Sequence, residues 1–293
     1  MDVTSVADVA TGVGLTILGS KDILNKLLGP SAEYLGDKAA GLLKKCDINL
    51  NTVFQKAVQK AGKKLELPGQ VSPRVLKHIV EEARFCDDDF TAEYYGGILA
   101  ASRGEDERDD RGVYYIATVK ELSVYQLRLH YLIYHLIVDL FSQSPLNLAT
   151  SDDRDKMTLY IPKSIYEQAM EFSDTEDSNV LVSHSIHGLQ RHGLIAREYC
   201  CGEQDTIGKY LPDAPEGGLI VQPTVFGAEL FLWSLGMRDI PGEQITYLKF
   251  EGTPVIPVHE GSCKVGNFMT VEARELYERL ANRRRGRRTK QCT

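Results

Sequence analysis

Along residues 180–235 the spacing of apolar positions switches from helical to strand-like and back. Leu181, Ile186 and Leu189 read as one face of a helix ending at Arg191-His192-Gly193, and Leu194-Ile195-Ala196 as a short strand. A polar loop with glycine and proline follows, then a returning strand at Gly218-Leu219-Ile220-Val221-Gln222-Pro223. Residues 224–233 close the segment as a capped helix. Helix, strand, loop, strand and helix is the order of a winged-helix unit, which serves either DNA reading or protein contact.

Upstream the pattern is helical. Residues 3–65 read as three helices, the third capped by Asn51 and carrying Val53, Phe54, Ala57, Val58 and Ala61. After the Leu67-Pro68-Gly69 turn, Pro73 stands at a first helical position, with Val75, Leu76, Ile79, Val80 and Ala83 as the buried face. Asp87-Asp88-Asp89 opens the next helix, where carboxylates suit the positive end of the helix dipole better than they suggest a metal. Residues 103–112 read as a solvated, charge-dense hinge, and Ser123 as the cap of a longer helix. Tyr160-Ile161-Pro162 reads as a strand leading into a helix over 163–172. Residues 244–248 and 254–258 are strand candidates, and Thr270 caps a last helix over 271–282.

Charge sharpens this picture. The net charge is −7, but five arginines and one lysine lie after residue 281, so residues 1–281 carry −13. A body this acidic repels phosphate, whereas Arg283, Arg284, Arg285, Arg287, Arg288 and Lys290 form a basic tail suited to nucleic acid or anionic lipid. The six cysteines lack a framework spacing, and adjacent Cys200-Cys201 do not form an ordinary disulfide with each other. A reducing cytoplasm is expected, with the periphery of the inner membrane as the alternative. That alternative rests on the lysine-bearing, glycine-loosened helices before residue 67. The apolar runs over 6–18 and 131–141 fall short of the ~18–20 residues a membrane span needs.

Candidate chemistry is sparse. His184 and His187 share a helix face, but His192 falls off it, so surface histidines are preferred to zinc ligands, with Cys200-Cys201 a remote fourth contribution. Ser183-His184 and Ser185 lack a G-x-S-x-G setting. Gly12-Val13-Gly14 lacks the third glycine of a dinucleotide fingerprint, and no Walker A loop occurs. Asp106, Glu107, Asp109 and Asp110 alternate with arginines and read as a solvated loop. The helix over 179–192 offers His187 and Arg191 to a ligand but only one permanent positive charge, with Glu176 and Asp177 before it. That balance favours a protein-binding wing over DNA reading.

Three segments carry a resemblance. Leu28-Gly29-Pro30-Ser31-Ala32-Glu33-Tyr34-Leu35-Gly36-Asp37, then Val71-Ser72-Pro73 through Asp89 with Tyr94-Tyr95-Gly96-Gly97-Ile98-Leu99-Ala100, and finally Gly188-Leu189 through Gly193-Leu194-Ile195 with Thr224-Val225-Phe226-Gly227, resemble the abortive-infection alpha (Abi-alpha) family of bacterial proteins. Ile98-Leu99 stands where the family pattern has Leu-Leu. The resemblance covers roughly residues 20–237. It implies defence against phage, with infected cells halted before virus is released, and brings no catalytic residues with it.

The expected fold is α-rich α+β: a helical N-terminal half, a winged-helix-like unit and a small mixed C-terminal extension. Expected divisions are an N-terminal helical segment (1–66), a central helical pair (67–112), the winged-helix-like domain (113–237), an α+β extension (238–281) and the basic tail (282–293). The expected function is phage defence as a sensor or effector, through protein, membrane or nucleic-acid contacts. No enzymatic activity, cofactor, metal or small-molecule substrate is expected. A protein partner or a homo-oligomer is expected, with an anionic membrane or nucleic acid reached through the tail. Candidate contacts are His187, Arg191, Arg283, Arg284, Arg285, Arg287, Arg288 and Lys290. The alternative is a winged-helix transcriptional regulator using His187, Arg191 and the tail, and a hydrolytic or metal-dependent toxin comes third.

Overall fold

A computed structural model of the chain describes residue 26 and residues 47–86, 88–105, 108–249 and 263–264. The helices expected before residue 46, Asp106 and Glu107, the strand over 254–258, the helix over 271–282 and the basic tail lie outside the described residues. The described chain is helix-rich with two small antiparallel sheets. Its described residues divide into two compact units, those up to 127 with 229–241 and those over 128–228 with 242–249 and 263–264.

The first unit begins with α1 (Asp47–Ala61) and a 3-10 turn (Gly62–Glu66). Asn51 lies inside α1 instead of capping it, because Leu50 is already buried, 2% exposed, and the helix extends upstream to bury it. β1 (Gln70–Val71) precedes α2 (Pro73–Ala83), where Val75, Leu76, Ile79, Val80 and Ala83 are the buried face the spacing predicts. Asp88 caps α3 (Asp89–Ala101), its carboxylate accepting from the Thr91 N–H at 2.6 Å. β2 (Arg103–Gly104) pairs antiparallel with β1, and α4 (Gly112–Lys120) follows.

The expected solvated hinge is pinned where it is described. Arg103 is buried, and its guanidinium donates to the backbone carbonyls of Lys26 (2.5 Å), Lys64 (2.8 Å) and Leu67 (2.5 Å). Asp109 is held by Arg111 (2.8 Å) and Arg238 (3.3 Å). Arg111 also lies over the ring of Trp233, 5.3 Å from its centroid.

α5 (Val124–Phe141) crosses into the second unit. Ser123 and Gln126 form a reciprocal capping box: the Ser123 N–H donates to Gln126 Oε1 (2.8 Å) and the Gln126 N–H to Ser123 Oγ (3.3 Å). Then come α6 (Ser151–Lys156), β3 (Leu159–Pro162), α7 (Lys163–Met170) and α8 (Ser178–Arg191). The remaining elements are β4 (Cys200–Gly202), a single turn α9 (Gln204–Ile207), β5 (Gly218–Val221), α10 (Val225–Ser234), a second 3-10 segment (Gly242–Tyr247) and β6 (Cys263–Lys264). α10 returns the chain to the first unit.

The second sheet has the order β4-β5-β3-β6, every pair antiparallel. β3 pairs with β5 in the register Leu159↔Val221 through Pro162↔Gly218, and β5 with β4 in the register Cys200↔Ile220 through Gly202↔Gly218. Two expectations are corrected. Residues 194–196 make only a bridge, Ile195↔Pro223, and the paired strand lies at Cys200–Gly202, inside the expected loop. Residues 244–248 are not a strand: the first four end the second 3-10 segment, which is held by the Gln143 N–H on the Thr246 carbonyl (2.7 Å) and by the Thr246 hydroxyl reaching the Leu146 carbonyl (2.9 Å).

Candidate functional site

The site grows from the placement of α8. Asp177 caps it, accepting from the N–H groups of Asn179 (3.0 Å) and Val180 (3.2 Å). At the other end Gly193 takes φ +69°, the Leu194 N–H returns to the Leu189 carbonyl (2.9 Å), and the Gly193 N–H to the Gln190 carbonyl (3.0 Å). This is a Schellman ending, for which glycine is the favoured residue. Val182, Ser185, Ile186 and Leu189 face inward. Asn179, Ser183, His187 and Arg191 recur every fourth residue, which places them along one outer stripe.

Beneath that stripe lies an open cleft of about 370 Å³, lined by Asn179, Ser183, Ile186 and His187 from α8 and by Tyr199, Cys201, Gly202 and Glu203 from β4 and its flanks. Strand alternation explains which residues of β4 enter it. Cys200 packs with Ile220 against the buried cluster of Tyr160, Ile207, Leu211 and Ala214, so its neighbours Tyr199 and Cys201 turn the other way. The Tyr160 hydroxyl holds the chain returning to β5 by donating to the Glu216 carbonyl at 2.9 Å. His187 meets the Tyr199 ring edge-on, with ring centroids 5.9 Å apart.

The lining carries a single permanent charge, and the stretch of chain that supplies it, residues 174–205, is acidic in sequence. Glu203 is the permanent charge in the lining, and it is paired with Lys163 at 2.7 Å. That hydrogen bond raises the Lys163 pKa above its ordinary value. Burial pushes the Cys201 thiol up, with Cys200 and Glu203 adding in the same direction. At neutral pH Cys201 is therefore a thiol and not an activated thiolate. Residues 174–205 carry six carboxylates, Asp174, Glu176, Asp177, Glu198, Glu203 and Asp205, against Arg191 and Arg197. The cleft offers an amide, a hydroxyl, an imidazole, a phenol and a thiol over an apolar floor at Ile186. Such a surface suits a polar, extended ligand chain.

Of the contact residues expected from the sequence, His187 lines the cleft, while Arg191 is exposed in the last turn of α8 and does not line it. Arg283, Arg284, Arg285, Arg287, Arg288 and Lys290 lie outside the described residues. His184 is exposed and His192 half-buried. Among the described residues no group of three His, Cys, Asp or Glu side chains could hold a metal ion. Asn179, Ser183, Tyr199 and Glu203 were missed as site residues; the four-residue spacing of the α8 stripe is the signal that contains two of them. Among the described residues no helix is long and apolar enough to cross a membrane. No protein-family model, curated protein or solved structure matches this chain.

Proposed function

We propose that the chain is a bacterial phage-defence protein of the abortive-infection kind that acts through protein contacts, with the outer stripe of α8 and its cleft as the contact surface. One observation carries the choice of partner: the stripe holds a single permanent positive charge, Arg191, in a stretch with six carboxylates. That balance opposes a phosphate backbone and suits a polypeptide. The resemblance of residues 28–37, 71–100 and 188–227 to the Abi-alpha family supplies the defence role.

We further read residues 128–228 as a winged-helix module. The strand order β4-β5-β3 supports this, as do α7 and α8 lying between β3 and β4 in sequence and the β4–β5 connection standing where a wing would. The same order favours a second reading, a DNA-binding regulator. DNA binding that weakens steeply between about 50 and 200 mM salt and is lost in Arg191→Ala would put that reading first.

The test is a phage challenge of cells expressing the intact chain at low and high infection ratios. Abortive defence gives protection at low ratio and culture collapse at high ratio. Survival at both ratios, or protection at neither, overturns the proposal.

A further inference from the structure

β4 stands at one end of the four-stranded sheet, and among the described residues nothing pairs with its outer side. The cleft runs between this edge strand and α8. A groove bounded by an edge strand and a helix is the geometry in which an extended peptide adds as a further strand, taking backbone hydrogen bonds from the edge and side-chain contacts from the helix. The stretch of chain that lines the cleft, residues 174–205, carries a net −4, which opposes an acidic occupant. Tyr199 adds an aromatic ring at the cleft, a surface over which a guanidinium is attracted.

We propose that the occupant is this chain's own basic segment, residues 283–290, bound in cis along β4 so that its arginines meet Glu203 and Tyr199. Its sequence, Arg-Arg-Arg-Gly-Arg-Arg-Thr-Lys, carries six positive charges in eight residues, opposite in sign to the net −4 of the stretch that lines the cleft. Reach is not an obstacle. β6, at the far end of the same sheet, ends at Lys264 and lies three strand positions from β4, about 14 Å at the usual strand spacing. Residues 265–282 connect it to the segment. That connection spans on the order of 60 Å if extended and about 27 Å if helical. A tether of this length holds the segment near the cleft at an effective concentration on the order of millimolar, so even a weak contact is populated. The segment thereby covers the surface assigned above to the defence partner and competes with it.

The inference rests on that reading of the cleft as a recognition surface, but its test reads occupancy alone, so the two fail separately. Cys201 lines the cleft, and its alkylation by a neutral reagent at about pH 8.5, where a thiol begins to ionise, is followed on the full-length chain by peptide mass mapping. Replacing Arg283, Arg284, Arg285, Arg287, Arg288 and Lys290 by Gln should speed Cys201 modification at least threefold at low salt, with Cys200 as the internal reference. About 0.5 M salt should speed the unaltered chain and leave the variant unchanged. The variant Glu198→Gln/Glu203→Gln/Asp205→Asn should release the same protection from the other side, with all rates compared at matched thiolate fraction from a pH series, because Glu203 itself holds the Cys201 thiol up. Equal Cys201 rates in all three chains overturn the proposal, and so does protection that grows with protein concentration, which would place the segment of a second copy in the cleft.

Discussion

The Tyr134 hydroxyl accepts from the Thr224 N–H at 2.9 Å while donating to the Leu194 carbonyl at 2.6 Å. Thr224 in turn caps α10 through its hydroxyl, which accepts from the Gly227 N–H (3.1 Å) and donates to the Gly193 carbonyl (2.7 Å). One fully buried tyrosine on α5 thus ties the end of α8 to the start of α10, and it sets the end of the helix that carries the cleft. Gly227 sits against this hydroxyl so closely that a Cβ there would collide with the Tyr134 oxygen and the Leu194 carbonyl.

Tyr134→Phe leaves a buried N–H and a buried carbonyl without their partner, an expected loss of about 1–3 kcal/mol. Gly227→Ala forces a methyl into filled space, also about 1–3 kcal/mol. Because the Tyr134 oxygen is one of the atoms in the way, the double variant should lose less than the sum of the singles. Urea unfolding of the four chains checks this; strict additivity would show that the two residues do not share one space.

His130 is fully buried on α5 and its Nε2 lies 3.0 Å from the Gly227 carbonyl, so Nε2 carries the proton and the ring is neutral. Burial pushes its pKa down to about 3 from the ordinary 6.5. Below pH 6.5 the unfolded chain takes up a proton that the folded chain refuses, so stability falls as pH drops from 6.5 toward 3. His135, also depressed by burial, acts in the same sense. Between pH 6 and 4.5 the stability of His130→Gln should fall less steeply than that of the unaltered chain, by up to about 1.4 kcal/mol per pH unit. Parallel slopes in urea titrations across that window would contradict the assignment.

Glu93 sits between Lys56 (2.5 Å) and Lys60 (2.6 Å), and Lys60 also donates to the carbonyls of Glu93 and Ser234, each at 2.8 Å. Burial acts to raise the Glu93 pKa, but the two lysines outweigh it and hold the carboxyl below its ordinary value of 4.5. The stability this gives is present above pH 4.5 and is lost as pH falls through the depressed value. Glu93→Gln should therefore be less stable at pH 7 and show a flatter loss below pH 4.5. A wild-type slope below pH 4.5 in that variant would exclude the carboxylate as its source.

Arg103→Lys should not be conservative. A lysine ammonium lacks the planar fork that reaches three carbonyls, and a hydrogen bond to a charged group contributes about 1.5–3 kcal/mol. Amide exchange in residues 62–72 should quicken nearly as much in Arg103→Lys as in Arg103→Ala; exchange unchanged in Arg103→Lys would mean the fork is dispensable.

The parts legible in the sequence are those whose cause is local. Pro73 at the start of α2, Asp88 at the start of α3, Ser123 with Gln126 at the start of α5 and Gly193 at the end of α8 are each set by neighbours within a few residues. What escaped is held from afar. β4 is three residues long and exists because β5 pairs with it and Tyr160 packs behind Cys200. Residues 244–248 have strand-like composition but are bent by bonds to residues 143 and 146. The division between the two units falls within α5 and α10, and a helix crossing a boundary leaves no mark in composition. The cleft joins the two cases: His187 stands on a readable helix, and Tyr199, Cys201 and Glu203 reach it only through a strand that local spacing does not announce.

If defence runs through the outer stripe of α8, altering that stripe alone should abolish it. The most direct measurement is the phage challenge with a folded variant changed only there, Asn179→Ala/Ser183→Arg/His187→Ala, beside the unaltered chain. The unaltered chain should protect at low infection ratio with collapse at high ratio, and the variant should lose both while keeping its urea midpoint. Unchanged defence in the variant would contradict a role for the stripe.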